Sequence, residues 1–236
     1  MIQNCNNTFY NKVEQKGFRP AHVAEVGVWH PQTSNIYKFI IEGVKTTLVE
    51  PDPASIELIK NEFKDKKVTL YEVAICDFNG KVDLCKRESS TFISSLSSSP
   101  ALVNDNCKIS ETETFTANAK LFNEIDDGSI DLISIDTEGS EWFVIKNMVS
   151  RPAIISLETH GGIYTNPYMM EIQHWMDKNK YVLWYVDNSD SVYVLDGSIP
   201  ITVLDKINLV KSKTFVFLKY LKKRLSKKIR RFLRKK

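Results

Sequence analysis

Glycine is scarce in this chain, at 9 of 236 residues. No Gly-x-Gly-x-x-Gly run follows a candidate strand, and no P-loop run occurs anywhere. A dinucleotide cradle and a nucleoside-triphosphate loop are therefore excluded as the usual phosphate sites. The four cysteines, Cys5, Cys76, Cys85 and Cys107, form no Cys-x-x-Cys pair. They read as thiols of a reducing cytoplasm, with neither a disulfide frame nor a zinc site. The opening residues, Met1-Ile-Gln-Asn-Cys-Asn-Asn, have no basic and apolar regions of a signal peptide. No apolar run approaches the roughly 20 residues that a membrane-spanning helix needs. A cytoplasmic chain is expected. Acid is missing from one region only: residues 211–236 hold 13 Lys and Arg and no Asp or Glu. The first 210 residues then carry 19 basic against 29 acidic groups, an acidic body before a basic tail.

What is present alternates strand and helix. Val23–Trp29 and Thr47–Glu50 read as strands, with a helix at Ser34–Glu42 between them and another opened by Pro53. Val68–Cys76 reads as a third strand, and Val82–Cys85 as a fourth after the Asn79-Gly80 turn. Residues Glu88–Ser110 break the rhythm. Seven serines and a proline fall within Ser89–Pro100, which suits an active-site loop or lid. The alternation resumes with a helix near Ala119–Ile125, the strand Asp131–Asp136 and the helix Ser140–Met148. The strand Ile154–Glu158 and the helix Tyr168–Asn179 follow. Lys180–Asp187 and Ser191–Leu195 then face each other as a closing antiparallel hairpin. Such a chain predicts an α/β fold: a mostly parallel sheet, a terminal antiparallel hairpin and helices on both faces. The methyltransferase-type Rossmann-like fold carries that hairpin. Residues 1–205 are expected to form this domain and 206–236 a basic amphipathic tail.

Three strands end in acids. Glu25-Val-Gly27 closes the first, Glu50 the second, and Asp136-Thr-Glu138-Gly139-Ser-Glu141 follows a later one. Ligands of open α/β sheets bind at the carboxyl edge, so these positions are candidate site residues. Gly27 lets backbone amides approach a ligand, or merely permits a tight turn. Glu50 lies about two dozen residues further on, the spacing at which an acid accepts from a cofactor's ribose hydroxyls. An adenosyl cofactor without phosphates meets both features.

The order of Glu25-Val-Gly27, Leu48-Val-Glu50-Pro-Asp-Pro, Val73-Ala-Ile-Cys-Asp77 and Ile135-Asp136-Thr-Glu138-Gly139-Ser-Glu141 resembles the FkbM family of S-adenosylmethionine-dependent methyltransferases. Ile154-Ile-Ser-Leu-Glu158-Thr-His160 looks like that family's closing strand, so the match runs roughly from Val23 to His160. The resemblance implies S-adenosyl-L-methionine as cofactor. It implies Glu25 and Gly27 at the methionine moiety, Glu50 at the ribose, Asp77 beside the adenine and Asp136 at the sulfonium side. It also implies O-methylation of a sugar, glycan or related polyol, lipid-linked forms included. The family's first motif usually reads Asp-Val-Gly-Ala-Asn-x-Gly, and here Trp29, His30 and Pro31 stand in its second half. Trp29 is therefore a candidate for a bulkier wall of the cofactor pocket.

Deprotonation of a hydroxyl acceptor calls for a base, and Asp136, Glu138, Glu158 and His160 are the candidates. His160 is suited to neutral pH, though it reads equally well as an ordinary loop histidine. No metal is assigned. Asp136, Glu138 and Glu158 as oxygen ligands of a divalent ion are the minority alternative. Glu141 reads as a first-turn acid on the helix dipole. His22, His30 and His174 give no sharper signal, and Trp142, Trp175 and Trp184 read as core. Leu218, Leu221, Leu225, Ile229 and Phe232 recur at three- and four-residue steps among Lys and Arg. That is an amphipathic cationic helix, suited to the inner face of an anionic membrane; nucleic acid is not expected as a partner. Two rival readings stay open: a nicotinamide-dependent sugar oxidoreductase, and a catalytically degenerate methyltransferase-fold binding protein.

Overall fold

A computed structural model of the chain describes residues 8–87, 90–96, 98–104, 112–187 and 189–233, with side chains as far as residue 227. Cys5, Cys107, Glu88, Ser89, Ser97 and Asn188 lie outside the described residues, as do the side chains of Ile229 and Phe232. The main sheet contains β1 (His22–Val26), β2 (Lys45–Val49) and β3 (Val68–Tyr71). A smaller sheet contains β4 (Ala74–Ile75), β5 (Gly80–Arg87), β6 (Ser90–Ile93) and β7 (Glu113–Lys120). The main sheet resumes with β8 (Leu132–Ile135) and β9 (Ile154–Glu158). A short pair, β10 (His160–Gly161) and β11 (Tyr164–Thr165), precedes the closing hairpin of β12 (Tyr181–Val186) and β13 (Asp190–Leu195). Helices are α1 (Thr8–Gln15), α2 (Tyr37–Ile41), α3 (Pro53–Glu62), α4 (Pro100–Asn104), α5 (Glu141–Lys146), α6 (Met169–Lys178) and α7 (Val203–Leu233).

The main sheet has seven strands in the order β12-β13-β9-β8-β1-β2-β3. Neighbours from β3 across to β9 are parallel, and β13 is antiparallel to both β9 and β12. This is the expected mostly parallel sheet with a terminal hairpin. Strands buried on both faces read as continuous apolar runs, and β8 and β9 do so. One face packs Ala24, Val26, Ile133 and Ile135 against Val144 and Met148 around α5, and against Ile172 and Met176 of α6. The other packs Val23, Leu132 and Ile154 against Val13 of α1, Phe39 and Ile40 of α2, and Ile59 of α3.

Three local expectations are corrected. Val68–Cys76 is two strands: β3 stays in the main sheet, while β4 leaves it to pair with β7. The helix expected near Ala119–Ile125 is the end of β7 followed by a 3-10 turn at Phe122–Glu124. Phe115, Ala117 and Ala119 alternate with exposed Thr114, Thr116 and Asn118, a period of two that determines strand. The serine-rich segment contains a strand and a helix, β6 pairing with β5 and α4 following it.

The basic helix begins much earlier than Leu218. Thr202 Oγ1 accepts from Asp205 N–H, and Asp205 Oδ2 accepts from Thr202 N–H at 2.7 Å, a reciprocal cap at the start of α7. Lys16 pairs with the same carboxylate at 2.6 Å, and Trp184 Nε1 donates to its other oxygen. The helix start is thus tied to α1 and β12, and α7 passes through residues 205 and 206 without a break.

Candidate functional site

Parallel register determines which acids meet. Val26 is level with Val49 on one side and Ile135 on the other. Glu50 and Asp136 therefore flank Gly27 at the carboxyl edge. Gly27 N–H donates to Val49 O, and Asp136 N–H to Val26 O, both at 2.9 Å. Gly27 has φ +82°, and a Cβ there would stand 1.8 Å from Asp136 O. Its glycine is required by the close approach of the β1 and β8 ends.

A cavity of about 150 Å³, open to solvent, lies over this edge. Glu25, Gly27, Trp29, Glu50, Asp136 and Glu138 all line it. Further lining comes from the small sheet, including Ile75, Leu84, Thr91 and Phe92, and from Thr137 and Ser140. Among the described residues the lining has four carboxylates and no Lys, Arg or His.

The four carboxylates differ in their surroundings. Glu25 is buried, and its Oε1 accepts from Asn35 N–H at 2.9 Å. Its Oε2 has no hydrogen-bond partner among the described residues. Burial pushes its pKa up to about 8, against the opposing bonds from Ser34 and Asn35. Glu50 Oε2 accepts from Val28 N–H and Trp29 N–H, and Oε1 from Asp52 N–H at 2.9 Å. Burial raises its pKa while those three bonds lower it. Asp136 is accessible from the cavity yet set deep in the protein, so burial raises its pKa well above the carboxylate range. The charges of Glu138, Asp190, Glu141 and Glu25 push the same way. Glu138 sits at φ +56° and accepts from Ser90 Oγ at 2.8 Å, which links the expected serine-rich segment to the site.

The other expected residues fall elsewhere. Glu158 stands behind the cavity, not among its lining. Burial, then Asp136, Glu138, Glu141 and Asp190, push its pKa up to about 12. His160 is also outside the lining. Its Nδ1 pairs with Thr159 Oγ1 at 2.9 Å and its Nε2 with Asp187 O at 3.0 Å, so both ring nitrogens are engaged. Asp77 is exposed, outside the lining, and paired with Lys146 at 3.5 Å. Trp29 lies at φ +50° on the rim, edge-on to His30.

Glu141 opens α5 as the expected first-turn acid. It is fully buried, and its Oε1 accepts from Thr137 N–H and Gly139 N–H, with Asn166 Nδ2 donating to Oε2. Asp136, Glu141 and Glu158 each bring an oxygen within 4.8 Å of the others, so Glu141 takes the place that the sequence reading gave to Glu138. Asp190 joins from β13, accepting from Ser156 Oγ and Asn35 Nδ2. Nothing adjacent to it in sequence marks it. For Glu141 the Asp-x-Glu-Gly-x-Glu run was itself the signal.

Such a lining cannot neutralise a pyrophosphate. It suits a ligand with positive charge and donor groups, which a sulfonium and an ammonium provide, and Glu25 Oε2 is an acceptor in want of a donor. S-adenosylmethionine therefore fits the residues present, whereas a nicotinamide dinucleotide does not.

A family model described as the methyltransferase FkbM domain matches residues 21–183. No curated protein matches the chain. Solved structures resemble it at low identity. The methyltransferase domain of bacterial CtHen1 is 10% identical with a TM-score of 0.46, covering 80% of this chain and 98% of that one. The ribosomal protein L11 methylase from Lactobacillus delbrueckii subsp. bulgaricus is 11% identical with a TM-score of 0.43, covering 81% and 79%. The precorrin-6y C5,15-methyltransferase from Geobacter metallireducens GS-15 is 10% identical with a TM-score of 0.41, covering 81% and 87%.

Proposed function

The chain belongs to the FkbM methyltransferase family and is an S-adenosylmethionine-dependent methyltransferase; from that premise we propose that it methylates a hydroxyl of a sugar, glycan or related polyol while docked on an anionic membrane surface. When bound, the cofactor supplies an electrophilic methyl group on a sulfonium. In this reading Glu25 and Gly27 border its methionine part and Glu50 its ribose. Asp136 faces its sulfonium side, with Trp29 as a wall. Asp77, paired with Lys146 outside the cavity, contributes at most a distant charge to the adenine end.

The observation that carries the hydroxyl reading is a lining of carboxylates and hydroxyls, Asp136 and Glu138 beside Thr137, Ser140 and Thr91. Such groups hydrogen-bond a polyol, and the carboxylates among them take a proton from it. Holding an acceptor against the methyl group is worth ~7–11 kcal/mol of barrier, and a positioned base a further ~10²–10⁴-fold. Asp136 and Glu138 face the cavity and carry the base role here. Glu158 supports them from behind, and His160 is held away by its two bonds.

The docking reading rests on α7. Val203, Ile207, Val210 and Phe217, stepped by four, three and seven residues, are exposed, as are Leu218 and Leu225, seven apart. The better-covered Asp205, Leu209, Ser212 and Val216 form the opposite stripe, toward the body. The apolar stripe thus points away from the domain, flanked by lysines such as Lys206, Lys211, Lys213 and Lys222. An interfacial helix has this arrangement, and each basic group near an anionic leaflet adds ~1 kcal/mol. No described helix is long and apolar enough to cross a membrane.

Incubation with methyl-labelled S-adenosylmethionine and a panel of free and lipid-linked glycans tests the acceptor class. Label in a sugar O-methyl ether, reduced about 10²-fold or more by Asp136→Asn, is expected. Label confined to amines would contradict it.

A further inference from the structure

Three carboxylates converge from three separate elements, Asp136 at the cavity and Glu141 and Glu158 behind it. Asp136 follows β8, Glu141 opens α5 and Glu158 ends β9. One oxygen from each lies within 4.8 Å of the other two. Like charges gathered in a buried place repel one another, so the arrangement calls for a compensating cation. A second, independent group points to the same spot. Tyr164, from β11, is 1% exposed, and its hydroxyl has no hydrogen-bond partner among the described residues. That hydroxyl would stand 3.4 Å from a Cβ on Gly139, which lies between Glu138 and Glu141 in the chain, and the charges of Glu141, Glu158, Glu138 and Asp136 act on it. Glu158 Oε2 is likewise buried without a hydrogen-bond partner among the described residues.

We propose that Asp136, Glu141 and Glu158 bind a hard divalent cation of the Mg²⁺, Mn²⁺ or Ca²⁺ class, with the Tyr164 hydroxyl donating to an oxygen of its coordination shell. The donor set is all oxygen, which selects such ions over zinc or copper. The spacing agrees: ions held at ~2.3–2.6 Å place opposite ligands about 4.6–5.2 Å apart, and the smaller Mg²⁺ needs a modest closure. Glu141 is already oriented by Thr137 and Gly139 N–H on one oxygen and by Asn166 on the other. Such outer bonds tune a ligand without consuming all its lone pairs. Asp136 alone of the three lines the cavity, so the ion's open positions face the acceptor side. There they would take two neighbouring hydroxyls of one polyol. That extension rests on the proposed polyol reading, whereas ion binding does not.

The test is a titration of the full chain with Mn²⁺ alone, without cofactor or acceptor, reading free Mn²⁺ by its paramagnetic resonance signal. One equivalent bound at submillimolar Kd is expected, with a rise in Tm. Glu158→Gln keeps the side-chain volume and removes a carboxylate from the donor set. It should weaken binding at least tenfold while leaving the metal-free Tm equal to or above that of the wild type. Tyr164→Phe should weaken binding several-fold, and it carries the comparison if the Gln variant does not fold. No loss of free Mn²⁺ signal up to millimolar concentration overturns the proposal, as does unchanged affinity in the variants. Tight Mn²⁺ binding without polyol methylation would leave the ion site standing and remove only the acceptor reading.

Discussion

Glu50 Oε2 accepts the backbone N–H of Trp29 at 2.8 Å, and that of Val28 at 2.9 Å. The acid at the end of β2 therefore clamps the turn that leaves β1, holding Trp29 in the left-handed region. Removing it leaves buried donors unsatisfied. Glu50→Ala should cost about 2–4 kcal/mol in denaturant unfolding. A loss of cofactor affinity in that variant would report the turn as well as any ribose contact. An unchanged unfolding midpoint would show that the clamp carries no energy.

Gly27 and Gly43 provide a matched pair. Both have φ above +80°, but a Cβ at Gly43 meets nothing within 4 Å, whereas one at Gly27 meets Asp136 O. Gly43→Ala should cost about 1–2 kcal/mol, the left-handed penalty alone. Gly27→Ala should exceed that by at least ~2 kcal/mol or prevent folding, because β1 and β8 must separate. Equal costs would contradict the close approach.

Glu25 predicts a pH dependence with a definite sign. Its pKa rises from 4.5 to about 8 on folding because the carboxyl is buried. Between those values the folded chain holds a proton that the unfolded chain releases, so stability falls as pH rises through the window. Glu25→Gln removes that loss. The variant should gain about 3–5 kcal/mol relative to wild type at pH 8.5 and little at pH 4.5, read from unfolding at both.

Deleting residues 211–236 leaves the Thr202–Asp205 cap and the Lys16–Asp205 bridge in place. The truncated chain should keep its S-adenosylhomocysteine affinity and lose co-sedimentation with vesicles of anionic lipid. Retained vesicle binding would put the docking surface elsewhere.

The apolar strands were legible because burial on both faces leaves unmixed runs; Ile154–Glu158 agrees with β9 to the residue. The small sheet was not, since β7 is built from Thr, Asn and Ala and β6 lies within a serine-rich stretch. There pairing with β5 determines strand, and pairing has no local signature. Glu25, Glu50 and Asp136 were legible as strand-end acids. Asp190 and Tyr164 join the same cluster from distant elements, so only the folded sheet brings them in. His160 and Glu158, two apart in sequence, separate because Thr159 and His160 both donate backbone N–H to Ser189 O and the His160 ring turns to Asp187 O.

The central claim is that the acid-lined cavity binds a cationic adenosyl cofactor. The direct measurement is calorimetric titration of the full chain with S-adenosylmethionine and with neutral S-adenosylhomocysteine, in wild type and Asp136→Asn. The account predicts micromolar binding of both, tighter for the sulfonium, with that preference reduced in the variant. Binding of neither, or tight binding of NAD in their place, would contradict it.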